Sequence, residues 1–94
     1  MSAFSNLGLY LKKKRMDAGY TQTQLANEIG NVHSQFVSNW ERGLCAPPSH
    51  SLPRLINILK LQPEKLVEVM VADSKIEIEK KIYAKRQTRR KKAV

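Results

Sequence analysis

Apolar residues along this chain recur at intervals of three and four, the spacing of one helix face, and glycine or proline punctuates the runs. Leu7, Leu11, Arg15 and Ala18 follow that interval, with Ser5 or Asn6 available as N-cap and Gly19 as terminator, so a first helix is predicted near residues 6 to 18. Its stripe runs into Arg15, and a guanidinium on a buried stripe needs a charge partner. The second helix has the clearest start. Thr21 and Gln24 have capping-box spacing, and Tyr20 and Leu25 that of a hydrophobic staple. Leu25, Ala26 and Ile29 then face the core, and Gly30 stands where a left-handed residue commonly closes a helix. After a turn over residues 31 to 34, Val37, Trp40 and Glu41 share one face of a third helix, while Gln35, Ser38, Asn39 and Arg42 share another. Gly43 stops it. Glu41 lies on a buried stripe as Arg15 does, and the pattern predicts that the two pair and pin the first helix to the third.

Leu44 to His50, with Pro47 and Pro48, reads as a loop. Leu52, Leu55, Ile56 and Leu59 make a fourth helix, with Ser51 as its N-cap and Pro53 tolerated in the first turn. Pro63 and Glu64 open a fifth, in which Leu66, Val67 and Met70 complete the core. From Asp73 the helical signal degrades, because Ile76-Glu77-Ile78-Glu79 alternates as a short strand would. Residues 85 to 94 are nearly devoid of apolar side chains and are expected to be disordered in the free protein. The fold class predicted is all-α, a five-helix domain over residues 1–72 with a partly disordered basic C-terminal extension over residues 73–94.

Charge changes the picture more than composition does. The net charge of +9 points to a polyanionic partner, and it is unevenly spread: residues 75 to 94 hold nine Lys/Arg against two Glu. The single cysteine, Cys45, has no intramolecular partner, and nothing suggests an oxidising compartment. An apolar stretch precedes Lys12, Lys13, Lys14 and Arg15, the reverse of a signal peptide's order, and no apolar run is long enough to span a bilayer. A cytoplasmic, nucleoid-associated protein is expected.

The third helix carries the informative chemistry. Gln or Asn can bond adenine bidentately in the major groove and a hydroxyl can bond several bases, so Gln35, Ser38 and Asn39 form either a base-reading face or a solvated one. Asn and Ser are mediocre helix formers, which leaves the solvated face little structural motive. Gln22, in the first turn of the second helix, is either a phosphate contact or capping-region surface, and Arg42 is a further phosphate candidate. Trp40 shares the Val37 stripe and belongs to the core; Phe36, with a thymine methyl as its alternative contact, is assigned there too. His33, Cys45 and His50 lack a fourth ligand and any metal-binding spacing, so no metal is predicted and His33 is read as capping or flanking the third helix. No Gly-rich phosphate loop or nucleophile with paired carboxylates points to an enzyme. The basic tail can serve as a phosphate arm, an RNA-binding segment or a solubilising run, and beside a DNA-reading domain the phosphate arm ranks first.

Taken together, Leu7, Leu11, Arg15, Gly19, Thr21-Gln22, Leu25-Ala26, Ile29-Gly30, Val37-Ser38, Trp40-Glu41-Arg42-Gly43, Pro47 and Leu55 resemble the Cro/phage-repressor (XRE) class of helix-turn-helix DNA-binding domains over residues 7 to 70. The resemblance implies a lambda-repressor-like fold, base contacts from Ser34, Gln35, Ser38 and Asn39, a phosphate contact from Gln22, and a structural pair of Arg15 with Glu41. It implies a sequence-specific regulator of transcription, a repressor by expectation, that binds double-stranded DNA as a homodimer and needs no cofactor. Residues Leu66 to Tyr83 are the expected dimer surface. Two departures stand out: the turn through Asn31 is one residue longer than the usual pattern, and Lys14 replaces an apolar residue, which snorkelling would accommodate. The alternatives are an antitoxin-type autoregulator that binds a protein partner through its tail, and an interaction adaptor that keeps the fold without DNA binding. An adaptor should show apolar residues on the third helix's outer face.

Overall fold

Helix starts and stops along this chain are set partly by neighbouring residues and partly by partners distant in sequence. In the computed structural model, which describes residues 3–30 and 32–93 with side chains through residue 84, the elements are α1 (Ser5–Asp17), α2 (Gln22–Ile29), α3 (Ser34–Glu41), α4 (Leu52–Leu59) and α5 (Pro63–Ala93), with a 3-10 turn at Ser49–Ser51 before α4. The start of α2 is local: Thr21 Oγ1 accepts the Gln24 amide at 3.0 Å and Gln24 Oε1 accepts the Thr21 amide at 2.8 Å. These reciprocal bonds satisfy amides that a helix start otherwise leaves unpaired.

The start of α1 is not local. Neither Ser5 nor Asn6 is its N-cap; Phe4 holds that position and supplies no side-chain cap. The carboxylate of Asp73, two turns and more into α5, accepts the amides of Asn6 at 3.0 Å and Leu7 at 2.9 Å, and Asp73 is only 4% exposed. A negative charge at the positive end of a helix is favourable, so this one side chain caps α1 and locks α5 onto it.

The core gathers Leu7, Tyr10 and Leu11 of α1, Leu25, Ala26 and Ile29 of α2, Val37 and Trp40 of α3, Leu55 and Leu59 of α4, then Leu61 and Leu66. Gly8 lets α1 cross the end of α3 closely. A Cβ there would lie 2.6 Å from the Glu41 carbonyl oxygen and 2.7 Å from that of Trp40, closer than any side chain tolerates. Phe4 N donates to Gly43 O at 3.1 Å beside this crossing. Lys14 is half-buried, with its ammonium 6.0 Å from the centre of the Tyr10 ring, so its stem covers apolar surface while its charge meets a π face.

Several local expectations need correcting. Phe36 is 50% exposed, because on α3 it points between the Val37–Trp40 stripe and the outer face. Val67 is 60% exposed; Met70 packs against the core as expected, and Val69 does so in place of Val67. Gly30 has φ +99 and ψ 123, a positive φ that favours glycine but not the left-handed helical cap. Ser51 does not cap α4 with its side chain, since its hydroxyl donates to Pro48 O at 2.7 Å within the 3-10 turn. Residues Ile76 to Glu79 are helical; their alternation reflects neither a strand nor a buried face. α5 passes residues 72 and 73 without interruption, so the division at that point coincides with no element boundary. α5 runs as a helix through Ala93, across residues expected to be disordered in the free protein, while Val94 and the register of Asn31 lie outside the described residues.

Candidate nucleic-acid interface

The orientation of α3 is set by a buried polar junction. Arg15 reaches from α1 to Glu41 in the last turn of α3, Nε donating to Oε2 at 2.5 Å and Nη2 to Oε1 at 3.0 Å, while its Nη1 donates to Tyr20 O at 2.8 Å. The two side chains are 11% and 3% exposed. Gln22, at the start of α2, donates from Nε2 to the same Glu41 Oε1 at 3.0 Å. One carboxylate thus receives donors from α1 and α2, and the planar fork of Arg15 fixes it in two places, so α3 cannot rotate without stranding charge.

This arrangement gives Gln22 a task absent from both of its sequence readings. It braces the ion pair from a half-buried position, with its remaining donor and the α2 backbone amides still at the helix start. His33 occupies the N-cap position of α3 without a side-chain cap; its carbonyl accepts the Phe36 amide at 3.0 Å and its ring lies 6.4 Å from that of Phe36.

On the outer face of α3, Gln35 is exposed, Ser34, Ser38 and Asn39 are half-buried, and Arg42 follows exposed at the C-cap. Gln35 Nε2 donates to Asn39 Oδ1 at 3.0 Å, one helical turn apart. That bond orients both amides and leaves the Gln35 carbonyl as acceptor and the Asn39 amino group as donor. An acceptor beside a donor is the complement of the N6 and N7 edge of adenine. The structure therefore brings Ser34, Gln35, Ser38 and Asn39 onto one helix, with Arg42 at its end and Gln22 at the head of α2.

Sequence reasoning missed Arg54. From α4 it donates through Nη1 to Ile29 O at 3.1 Å, meeting the last carbonyls of α2, and it stands at the edge of a cleft of about 450 Å³ lined by Ile29, Val32, Phe36 and Trp40. Among the described residues no group of three or more His, Cys, Asp or Glu is placed to hold a metal, and no helix is long and apolar enough to cross a membrane.

Two short helices at a fixed angle, the second carrying an outward amide face, define a helix-turn-helix, and a family model with that description matches residues 11–66. The chain belongs to that helix-turn-helix family, in its Cro/phage-repressor (XRE) class. It is 34% identical over 62 residues to the HTH-type transcriptional regulator ImmR of Bacillus subtilis (strain 168), a match that takes in 66% of this chain and 48% of the relative. The chain thus spans about half the length of that protein. A crystal structure of a mutant of the restriction-modification controller protein C.Esp1396I superposes with a TM-score of 0.58 at 25% identity, covering 76% of this chain and 93% of that one.

Proposed function

We propose that this chain is a sequence-specific double-stranded DNA-binding regulator of transcription, acting as a repressor, with α3 seated in the major groove. The observation that carries this reading is the pre-paired Gln35–Asn39 amide face on a helix whose orientation is fixed by Arg15 and Glu41. Ser34 and Ser38 flank those amides as further base contacts. Gln22, the α2 start and Arg42 meet phosphates on either side. The family and the names of both similar proteins support the reading, and the outer face of α3 offers amides and hydroxyls where an adaptor would need apolar surface.

The protein works without catalysis or a cofactor, in the cytoplasm at the nucleoid. One short helix reads too few base pairs to find a site in a genome, so two copies act on paired half-sites about 34 Å apart, one turn of the duplex. The basic tail adds phosphate contacts without reading sequence. Selection of bound sequences from a random duplex pool at physiological salt tests this. A palindromic consensus is expected; the absence of enrichment would contradict the reading and favour an adaptor.

A further inference from the structure

We infer that the cleft between α2, α3 and the approach to α4 binds a small organic acid, one carboxylate on an apolar, ring-sized body, with Arg54 holding the carboxylate. The cleft encloses about 450 Å³, within the range of small-molecule sites. Its walls are Ile29, Val32, Phe36, Trp40, Ala46 and Pro48, and among the described residues none of its lining is acidic. Phe36 leaves half of its surface uncovered there, whereas Trp40 beside it on α3 is buried. Arg54 brings the positive charge and His50 a ring N–H, and both side chains are exposed. An apolar lining with a few donors is the usual composition of a site that orients an amphiphilic guest.

A second arginine of the same molecule identifies the occupant. Arg15 spends Nη1 on a backbone carbonyl, Tyr20 O at 2.8 Å, and turns the edge formed by Nε and Nη2 to the two oxygens of Glu41 at 2.5 and 3.0 Å. Arg54 spends Nη1 in the same way, on Ile29 O at 3.1 Å, but its Nε and Nη2 have no partner among the described residues. That edge is the fork that takes a carboxylate in two parallel bonds. No described acid lies within ion-pair distance of it. A bare phosphate would meet the fork and leave the apolar walls uncovered; an acid with a ring satisfies both. Phe36 and Trp40 directly follow Gln35 and Asn39 on α3, so the guest touches the helix that carries the amide face. The site stands whether or not that face reads DNA.

The test titrates the full chain, without DNA, with phenylbutyrate and with the uncharged phenylbutanol. The chain supplies both reporters, since Trp40 is its one tryptophan and Cys45, which also lines the cleft, its one cysteine. Phenylbutyrate should shift the Trp40 emission saturably and slow alkylation of Cys45 by iodoacetamide over the same concentrations. Phenylbutanol should bind about tenfold more weakly, the worth of a charge-assisted pair. Arg54→Gln should bring the acid down to the alcohol, and Arg54→Lys, which keeps the charge and loses the fork, should recover only part of the difference. Phe36→Ala, at an exposed position, should weaken acid and alcohol alike, with circular dichroism to verify the fold of each variant. Absence of a saturable response, equal affinity for acid and alcohol, or full affinity in a folded Arg54→Gln overturns the proposal; if Arg54→Gln unfolds, the comparison of acid with alcohol on the parent chain decides. Protection of Cys45 by inorganic phosphate as effective as that by phenylbutyrate overturns it too, and would assign the fork to a phosphate. Because no readout involves DNA, normal binding of the acid by a chain that selects no sequence would sink the regulator reading alone.

Discussion

At the junction of α1, α2 and α3 two opposite charges are buried together, and the hydrogen bonds to the Glu41 carboxylate come from two other helices, α1 and α2. Along α5 beyond Asp73 the charges are more numerous, yet among the described side chains the ion pairs lie within the helix, Lys75 with Glu79 at 3.6 Å and Lys80 with Glu77 at 3.4 Å, all exposed to solvent by a third or more. The same residue types therefore do different things. Buried and bidentate, an ion pair fixes the angle at which α3 is presented; exposed and one turn apart, it adds a few tenths of a kcal/mol to its own helix and leaves the surface free for a partner.

The contrast is broken most forcefully at the junction. Arg15→Ala or Glu41→Ala alone should cost about 3–5 kcal/mol by stranding the remaining charge, and joint replacement by packed apolar residues should cost less. Denaturant melts of each single variant check this; Lys75→Ala should leave the midpoint nearly unmoved, as exposed substitutions do. Gly8→Ala comes next. Its Cβ would meet the backbone of α3 at 2.6 Å, so α1 must shift, with a loss of about 1–3 kcal/mol. Parental stability in Gly8→Ala would show that the crossing is looser than described.

Asp73 marks where the two regimes meet. Asp73→Ala removes the acceptor for the first amides of α1 and should cost about 0.5–2 kcal/mol, with earlier amide exchange at Asn6 and Leu7. Unchanged exchange at those two amides would deny Asp73 its capping role. The smallest stability effect belongs to deletion of residues 85 to 94. The melt should stay put, while the slope of log affinity for DNA against log salt flattens by about 0.9 for each phosphate contact removed. Specific and random DNA should weaken together, and an unaltered slope would remove the tail from the interface.

How much of this was legible in the sequence follows the range of the interaction. The Thr21–Gln24 box is a four-residue pattern and could be placed from spacing alone. The contact between Arg15 and Glu41 followed from two charges on two buried stripes, a physical contradiction with one economical solution. Asp73 gave no such signal, because an acid on an amphipathic helix looks solvated until the amides it caps, 66 and 67 residues earlier, are known. Gly8 was silent for a similar reason: a glycine inside a helix shows its purpose only when the crossing helix is present. Phe36 was misplaced because its neighbour Val37 is buried and adjacent helical positions are a hundred degrees apart. Arg54 gave no signal, because the carbonyl it meets at the end of α2 lies 25 residues earlier. On the outer face of α3, the residue types were readable, but the Gln35–Asn39 bond that orients them was not.

The central claim is that this oriented amide face reads bases, and the direct measurement is the affinity of Gln35→Ala and Asn39→Ala for the selected duplex and for random duplex at one salt concentration. Each variant should lose about 1–3 kcal/mol on the selected site and almost nothing on random DNA, with the melt unchanged. Equal losses on both duplexes, or none on either, would contradict the account.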